Sequence, residues 1–436
     1  MAVALVLLGT WPVVLAVLER RGRLPQHTFL DFSITNFLAA VLVALTFGQI
    51  GPNTPETPNF LTQLTQIHNN WPSILFAAAG GAALSLGKLA SQYGWAFVGL
   101  SVTEVMGSSL KVVIGTTLNY FLDGRINKAK VLFPGVGCFL IAAVLGSLLH
   151  SSSAADNQEK IASSLVNNSN SNRNRANEEL GKHLHDKGNG EVNELLSYHL
   201  SQNCTLQRRQ LLILIFYLAE RSKDLEEARS NASQDHSQAQ DKTAAGTAEF
   251  LVALEEKRSI KVLGAKTVLG IGIVVFAGLC FALFLPAINL ATNDHWHTLP
   301  DGVPRLVVYT ANFYFALSCF AVGVALNVRF LYRPMAGVAA SSLAAYLADG
   351  EGRALALLAG MLCGLGNAFT FMAGQAAGYA AADSVMALPL VSTLWGVVLF
   401  GEYRRSSRRT YALLGSMLLM FVVAMAVLMS SSAHRK

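Results

Sequence analysis

The sequence predicts an all-α fold: a polytopic membrane protein of about ten transmembrane helices, built as a 5+5 inverted repeat. Three observations predict it. The 436 residues are 52% hydrophobic and only 14% charged, too little charge for a water-exposed surface. The charge is also segregated, since residues 151–266 hold 15 Lys/Arg and 16 Asp/Glu against 18 and 11 in all the rest. Finally, Leu86, Gly87, Gly99, Glu104, Phe121 and Asp123 recur 279 residues later as Leu365, Gly366, Gly378, Asp383, Phe400 and Glu402, and Thr35, Asn36 and Phe37 are echoed by Ala311, Asn312 and Phe313. A repeated unit of apolar segments is the mark of a duplicated transporter.

The domain plan follows: a membrane half at 1–150, a polar and largely disordered insert at 151–266, and a second membrane half at 267–436. In the first half, apolar stretches at 2–18, 33–50, 73–92, 96–121 and 132–149 each approach the roughly 20 residues that cross about 30 Å of hydrocarbon. Runs of this length satisfy their backbone in lipid only as helices. The first is a span rather than a secretory signal, because it lacks a positive n-region and runs into Glu19, Arg20 and Arg21 without a small-residue cleavage site. Being short and starting at the first residue, it is expected to lack an N-terminal piece.

In the insert, Ser151 to Ser153 and 167–172 read as disordered linker. Sequons at Asn167, Asn203 and Asn231 are expected to stay unmodified. The apolar run 211–219 is too short to span, leaving a docked amphipathic helix or a plain hydrophobic patch, and 248–261 reads as a helix entering span six. The second half carries stretches at 267–290, 306–328, 354–374, 378–400 and 411–430. With the N-terminus outside, inner flanks hold ten Arg and outer flanks six Lys/Arg, which places the insert in the cytosol. Pro12 and Pro286 are expected to interrupt the first helix of each half. The five cysteines have neither disulfide nor metal-ligand spacing, so no metal is expected.

Charges within spans mark function, because each costs about 2.5–3.5 kcal/mol at mid-helix. Here they are Lys88, Glu104, Lys111 and Asp383. Glu104 and Asp383, equivalent by the repeat, are the proton-coupling candidates, Glu104 first because more helix flanks it. The alternatives are a structural ion pair of Glu104 with Lys88 and an interfacial Asp383. For substrate, Trp11, Asn36, Asn312, Gln92, Asn367 and Gln375 are the candidates: amides donate and accept together and suit a neutral solute with paired N–H and C=O groups, and Trp11 offers a flat aromatic face. Small residues at four-residue intervals from Gly99 to Gly115 read as helix packing. With five helices per half the copies are inverted, so Asn36 and Asn312 approach near the midplane while Glu104 and Asp383 lie toward opposite faces.

These residues belong to longer blocks. Gly9-Thr10-Trp11-Pro12, the run from Glu19 to Thr28, Ser101-Val102-Thr103-Glu104-Val105, the run from Ile114 to Tyr120, and Phe400-Gly401-Glu402-Tyr403-Arg404-Arg405-Ser406-Ser407 resemble the plant ureide permeases over nearly all of the membrane part. The resemblance implies a ten-helix permease, related to the drug/metabolite transporters, that imports allantoin and related oxo-derivatives of nitrogen heterocycles, uracil included, with protons. It also implies a phosphate-loop-like sequence before span six. Here Gly264, Lys266 and Thr267 keep its end, but Ile260 and Ala265 stand where glycines would wrap phosphate, so ATP binding is not expected. Lys88 and Lys111 depart from the amide or small polar residue expected there, Asn367 occupies the repeat position of Lys88, and the insert is longer than usual between 204 and 240.

The expected function is a secondary active transporter driven by the proton gradient, needing no cofactor and no nucleic acid, with the lipid bilayer as its surroundings and the plasma membrane as its location. A facilitator or exchanger of sugars, nucleosides or other small metabolites stands as the alternative. A membrane enzyme would need a His/Cys/Asp cluster, whereas His295, Trp296 and His297 sit by themselves in a loop, and a receptor does not explain an internal repeat.

Overall fold

A computed structural model describes residues 1–51, 53–54, 57–125, 127–184, 267–335 and 338–431. Gly264 and Lys266, the run 211–219, the stretch 248–261 and the sequons at Asn203 and Asn231 lie outside the described residues, as do the side chains of Asn167 and Thr267.

The described residues are helical, with no strand among them. The first half comprises α1 (Ala2–Arg20), α2 (Pro25–Leu45), a short α3 (Phe60–Thr65), α4 (Ile67–Val98), α5 (Leu100–Leu122) and α6 (Ala129–Leu184). The second comprises α7 (Thr267–Asn293), α8 (Val308–Tyr332), a short α9 (Leu343–Ala348), α10 (Arg353–Ala377), α11 (Tyr379–Ala382), α12 (Pro389–Phe400) and α13 (Arg408–Ser430). The described residues of Met1–Asn157 and of Leu251–Lys436 form one compact unit, and those of Gln158–Phe250, the helix up to Leu184, fall to another.

Nine helical segments among the described residues, with Tyr379–Phe400 counted as one, are long and apolar enough to cross a membrane. The expected fourth span lies at α5, which is long enough at 23 residues but more polar. Its Thr103, Ser108, Ser109, Thr116 and Asn119 are buried against neighbouring helices rather than turned to lipid, so an apolar surface is not required of it. Three other expectations are corrected. Span nine is discontinuous: α11 gives way to a 3₁₀ turn at Asp383–Met386, and α12 restarts with Pro389 in its first turn. The helices α1 and α7 run on through Pro12 and Pro286 rather than stopping there. And α6 continues through Ser151–Ser153 and 167–172, expected as linker; from 151 to 180 there is no Pro or Gly to end it.

The packing interlocks the two halves. Helix α4 packs on α7 and α8, and α10 packs on α1 and α2, so a long helix from each half is wedged between the first two of the other. Close approach needs small residues, since lipid supplies no hydrophobic drive. A methyl group at Gly81 would strike the backbone of Phe315, and one at Gly360, 279 residues later, the backbone of Phe32. Helices α2 and α8 also meet, with the rings of Phe37 and Phe313 5.8 Å apart. Large apolar side chains such as Leu140, Val144, Leu283, Val398 and Leu419 remain on the outer surface, as a lipid-facing shell requires.

Candidate functional site

The site begins at a break in the backbone. Gly99 separates α4 from α5 with φ 87° and ψ 160°, and Gly378 separates α10 from α11 with φ 89° and ψ 141°; only glycine adopts such angles without strain. The turn at Gly99 folds the start of α5 against the end of α4, where the Trp95 indole N–H donates to Glu104 Oε1 at 3.0 Å. Trp95 in turn lies edge-on to Trp11 of α1, with centroids 5.6 Å apart, and Trp11 packs on Phe32 of α2 at 5.2 Å. Lys88 of α4 reaches the same aromatic group: its ammonium donates to Asn36 Oδ1 at 3.2 Å and stands 5.1 Å from the Phe32 ring centroid.

These side chains border a partly open cavity of about 480 Å³ including its mouth, lined by Trp11, Lys88, Glu104, Ser108, Lys111, Cys363 and Asn367 together with apolar neighbours. Its walls come from both halves, and its polar groups converge from α4, α5 and α10 within an apolar surround, the usual form of a small-molecule site. Asn367 contributes an amide whose N–H₂ faces Cys363 Sγ at 3.7 Å.

A second polar cluster lies further along α5. Asp383, fully buried at the broken span, accepts from Thr116 Oγ1 at 3.0 Å and Asn119 Nδ2 at 3.3 Å. Twelve residues beyond Glu104, this contact is displaced from it by about 18 Å along the helix. Asn289 of α7 donates to both Asn119 Oδ1 and Asp123 Oδ1, and the His295 ring nitrogen Nε2 meets Asn289 Oδ1 at 3.2 Å. His295 is thus tied to the cluster rather than standing by itself. Burial lowers its pKa, with Asp123 opposing. Beside it, burial would raise the Asp294 carboxyl, but hydrogen bonds from Thr298 and Leu299 outweigh this and hold it below its ordinary value.

A third cluster clasps one end of the molecule. Arg23 bonds Asp31 at 2.6 Å and Asp349 at 3.3 Å, while His27 bonds Asp349 at 2.7 Å and Ser341 at 2.8 Å. The Tyr346 hydroxyl donates to Asp31 Oδ1 at 2.8 Å, and burial together with that carboxylate pushes its pKa up to about 12. Close by in sequence, Arg20 pairs with Glu402 at 3.1 Å and covers the Phe400 ring.

Of the candidate residues, the cavity gathers Trp11, Glu104 and Asn367. Asn36 stands behind it, holding Lys88. Asn312 and Gln92 are buried but do not line it, and Gln375 is exposed on the surface of α10; from Asn367 to Gln375 is eight residues, and the helix has turned that position outward. The Glu104–Lys88 ion pair does not form, since Trp95 holds the carboxylate instead, and Asp383 is fully buried rather than interfacial. Trp95, Thr116 and Asn119 were not marked as site residues by sequence reasoning. A Trp in an apolar run carries no signal beyond packing, whereas Thr116 and Asn119 had one, lying one helical turn apart on a span.

Helices with apolar exteriors, enclosing a polar cavity walled by both halves, define a multi-pass integral membrane protein. Comparison with known proteins fits this class. The Ureide permease family matches residues 28–213 and 215–431. Ureide permease 2 of Arabidopsis thaliana is 55% identical over all of this chain and 97% of its own length, and ureide permease 1 of the same plant is 54% identical over the same shares. Probable ureide permease A3 of Vigna unguiculata is 52% identical over 94% of this chain and 96% of its own. No solved structure matches. The chain belongs to the ureide permease family.

Proposed function

We propose that this chain is a secondary transporter, not an enzyme, that carries ureides such as allantoin and related oxo-derivatives of nitrogen heterocycles, uracil among them, inward across the plasma membrane by H⁺ symport. Full-length identity of 55% to a protein named ureide permease supports the substrate class. The observation that carries the mechanism is the cavity walled by both halves, with Glu104 in its lining.

In this reading the substrate ring lies against Trp11 while the Asn367 amide pairs with its N–H and C=O groups. Trp95 occupies Oε1 of Glu104, leaving Oε2 to take and release the proton. An ionised carboxylate is costly at membrane depth, so the site crosses between faces more readily when Glu104 is neutral, and substrate movement follows the proton. The interlocked helices α4 and α10 would rock against their partners as the two halves of an inverted repeat, a reading supported by the matched glycine breaks at 99 and 378.

The test is uptake of labelled allantoin and uracil in transport-deficient cells, with and without a proton gradient and with surface protein quantified. Glu104→Gln is expected to keep binding but lose at least tenfold of the gradient-driven component. Full gradient-driven uptake by that variant refutes the proton role. A gradient-independent facilitator is the second reading, favoured by Lys111, a cation within electrostatic reach of Glu104; uptake that persists in the native protein after the gradient is collapsed selects it.

A further inference from the structure

Lys111 lines the cavity yet has no part in the proton reading. It is buried, and among the described residues its ammonium makes neither a hydrogen bond nor an ion pair. It rests over aromatic faces instead, 4.1 Å from the Phe284 ring centroid and 6.0 Å from that of Phe281. The other cavity lysine is held in place, since Lys88 donates to Asn36 and meets Cys363.

Lys111 stands between two carboxylates along α5. Glu104 lies seven residues before it, about 10 Å along the helix. Gly107 separates the two in the cavity lining, and no atom lies within 4 Å of where its Cβ would be, so the way from Lys111 toward Glu104 is open. On the other side, Gly115 lies one turn after Lys111, on the same face of the helix. A Cβ there would stand 3.7 Å from each carboxylate oxygen of Asp383, which is thus seated over the turn next to Lys111. Thr116 and Asn119 both bond Oδ2 of Asp383, whereas its buried Oδ1 has no partner among the described residues. Of the titratable groups acting on Lys111, Asp383 comes first, Cys363 and Glu104 follow, and Lys88 opposes them. The charges facing Asp383 are Lys111 and Asp123, and the one facing Glu104 is Lys111.

We propose that Lys111 couples the proton site to the broken span: its ammonium is shared by two carboxylates and closes on Oδ1 of Asp383 when Glu104 takes a proton. This rests on the reading of Glu104 as the proton carrier and adds how its protonation is passed on. With Glu104 ionised, the two carboxylates pull in opposite directions, and the ammonium stays over Phe284. A proton on Glu104 cancels one pull, leaving a buried cation next to a buried carboxylate oxygen with no partner, where low dielectric strengthens their attraction. Asp383 opens the 3₁₀ turn Asp383–Met386 that precedes α12. The closed pair therefore fixes that turn to α5, so that an event in the cavity reaches the interrupted span.

A thiol at the turn tests this without transport. Ser384→Cys, buried beside Asp383, serves as the sole cysteine of the full chain in membranes, and its modification by a permeant maleimide is timed at one fixed pH. Adding Glu104→Gln, which imitates the protonated carboxyl, is expected to slow modification at least fivefold. Lys111→Gln or Asp383→Asn on top of Glu104→Gln should abolish that slowing, and Lys111→Arg should keep it. A rate unmoved by Glu104→Gln, or a slowing that survives Lys111→Gln, overturns the coupling role. Transport supplies a second measurement that needs no reporter. In Lys111→Gln, gradient-driven accumulation of labelled allantoin should fall at least tenfold further than exchange of labelled for unlabelled allantoin. Native-like accumulation, or an equal loss of both, overturns the coupling role as well. The double variant Lys111→Gln with Asp383→Asn removes both charges together and carries the same expectation where the single variant fails to reach the surface. No allantoin uptake by surface-displayed native protein overturns the transport reading, while the thiol rates still decide whether Lys111 links Glu104 to Asp383.

Discussion

At the scale of single residues, the contact that orders the cavity is the 3.0 Å bond from the Trp95 indole to Glu104. A hydrogen bond to a charged acceptor contributes about 1.5–3 kcal/mol, and this one also fixes which carboxylate oxygen faces inward. Trp95→Phe keeps a ring against Trp11 and removes only the donor. It is expected to lower the detergent-solubilised protein's unfolding temperature by several degrees and to cut gradient-driven uptake at least tenfold. Trp71→Phe, at a position 61% exposed, should change neither; a native-like melt and uptake for Trp95→Phe would remove the indole from the mechanism. Glu104, Lys88 and Lys111 were legible in the sequence because charge inside an apolar span is costly enough to need a reason. Their partners were not, because which carboxylate meets which cation depends on helix rotation. Glu104 and Lys88 could be paired on paper, yet the turn at Gly99 brings Trp95 to the carboxylate first.

At the scale of elements, helix contacts are set by where backbone can meet backbone. Gly81 and Gly360 lie against the main chain of Phe315 and Phe32, so even one methyl group forces α4 from α8, or α10 from α2. Overpacking of this kind costs about 1–3 kcal/mol, sometimes more. Gly81→Ala and Gly360→Ala should each reduce surface yield several-fold, measured by labelling of intact cells, whereas Gly107→Ala, with no neighbour within 4 Å, should be tolerated. Equal yields for all three would mean that the helices are not wedged as described. Most spans were readable from length and apolarity alone, which is why α1, α2, α4, α7, α8, α10 and α13 lie where the sequence placed them. Two exceptions, α5 and the broken span nine, share one cause: burial inside the bundle frees an element from the rules that lipid imposes. Helix α5 is polar because protein surrounds its polar face, and the break at Asp383 is allowed because Thr116 and Asn119 serve the carboxylate there.

For the whole molecule, the clasp at one end ties the α1–α2 connection to the segment before α10. Arg23 and Asp31, with side chains 5% and 2% exposed, form its buried part, and breaking such a pair costs about 3–5 kcal/mol. Asp349 is its wetter part. Burial would raise that carboxyl, but the hydrogen bond from His27 and the charge of Arg23 outweigh it and hold it below its ordinary value. The contribution of a depressed carboxyl is present above its unfolded pKa, near 3.9, and is lost only as pH falls through the lower folded value. Acidifying from neutrality to about pH 5 therefore leaves Asp349 charged and this link closed, whereas Asp349→Asn removes its charge at every pH. Cys363 reports on the difference, being buried in the cavity lining ten residues into α10, about 15 Å along the helix from Arg353. In a variant keeping Cys363 as its sole cysteine, Asp349→Asn should raise several-fold the rate at which a membrane-impermeant thiol reagent added from the Arg23 end modifies it, and with Glu104→Gln added, which removes the proton-coupling carboxylate, the pH 5 and pH 7 rates of the parent should match once corrected for thiolate content. An unchanged rate in Asp349→Asn would show that this end is sealed by helix packing, with the ionic clasp playing no part in access to the cavity.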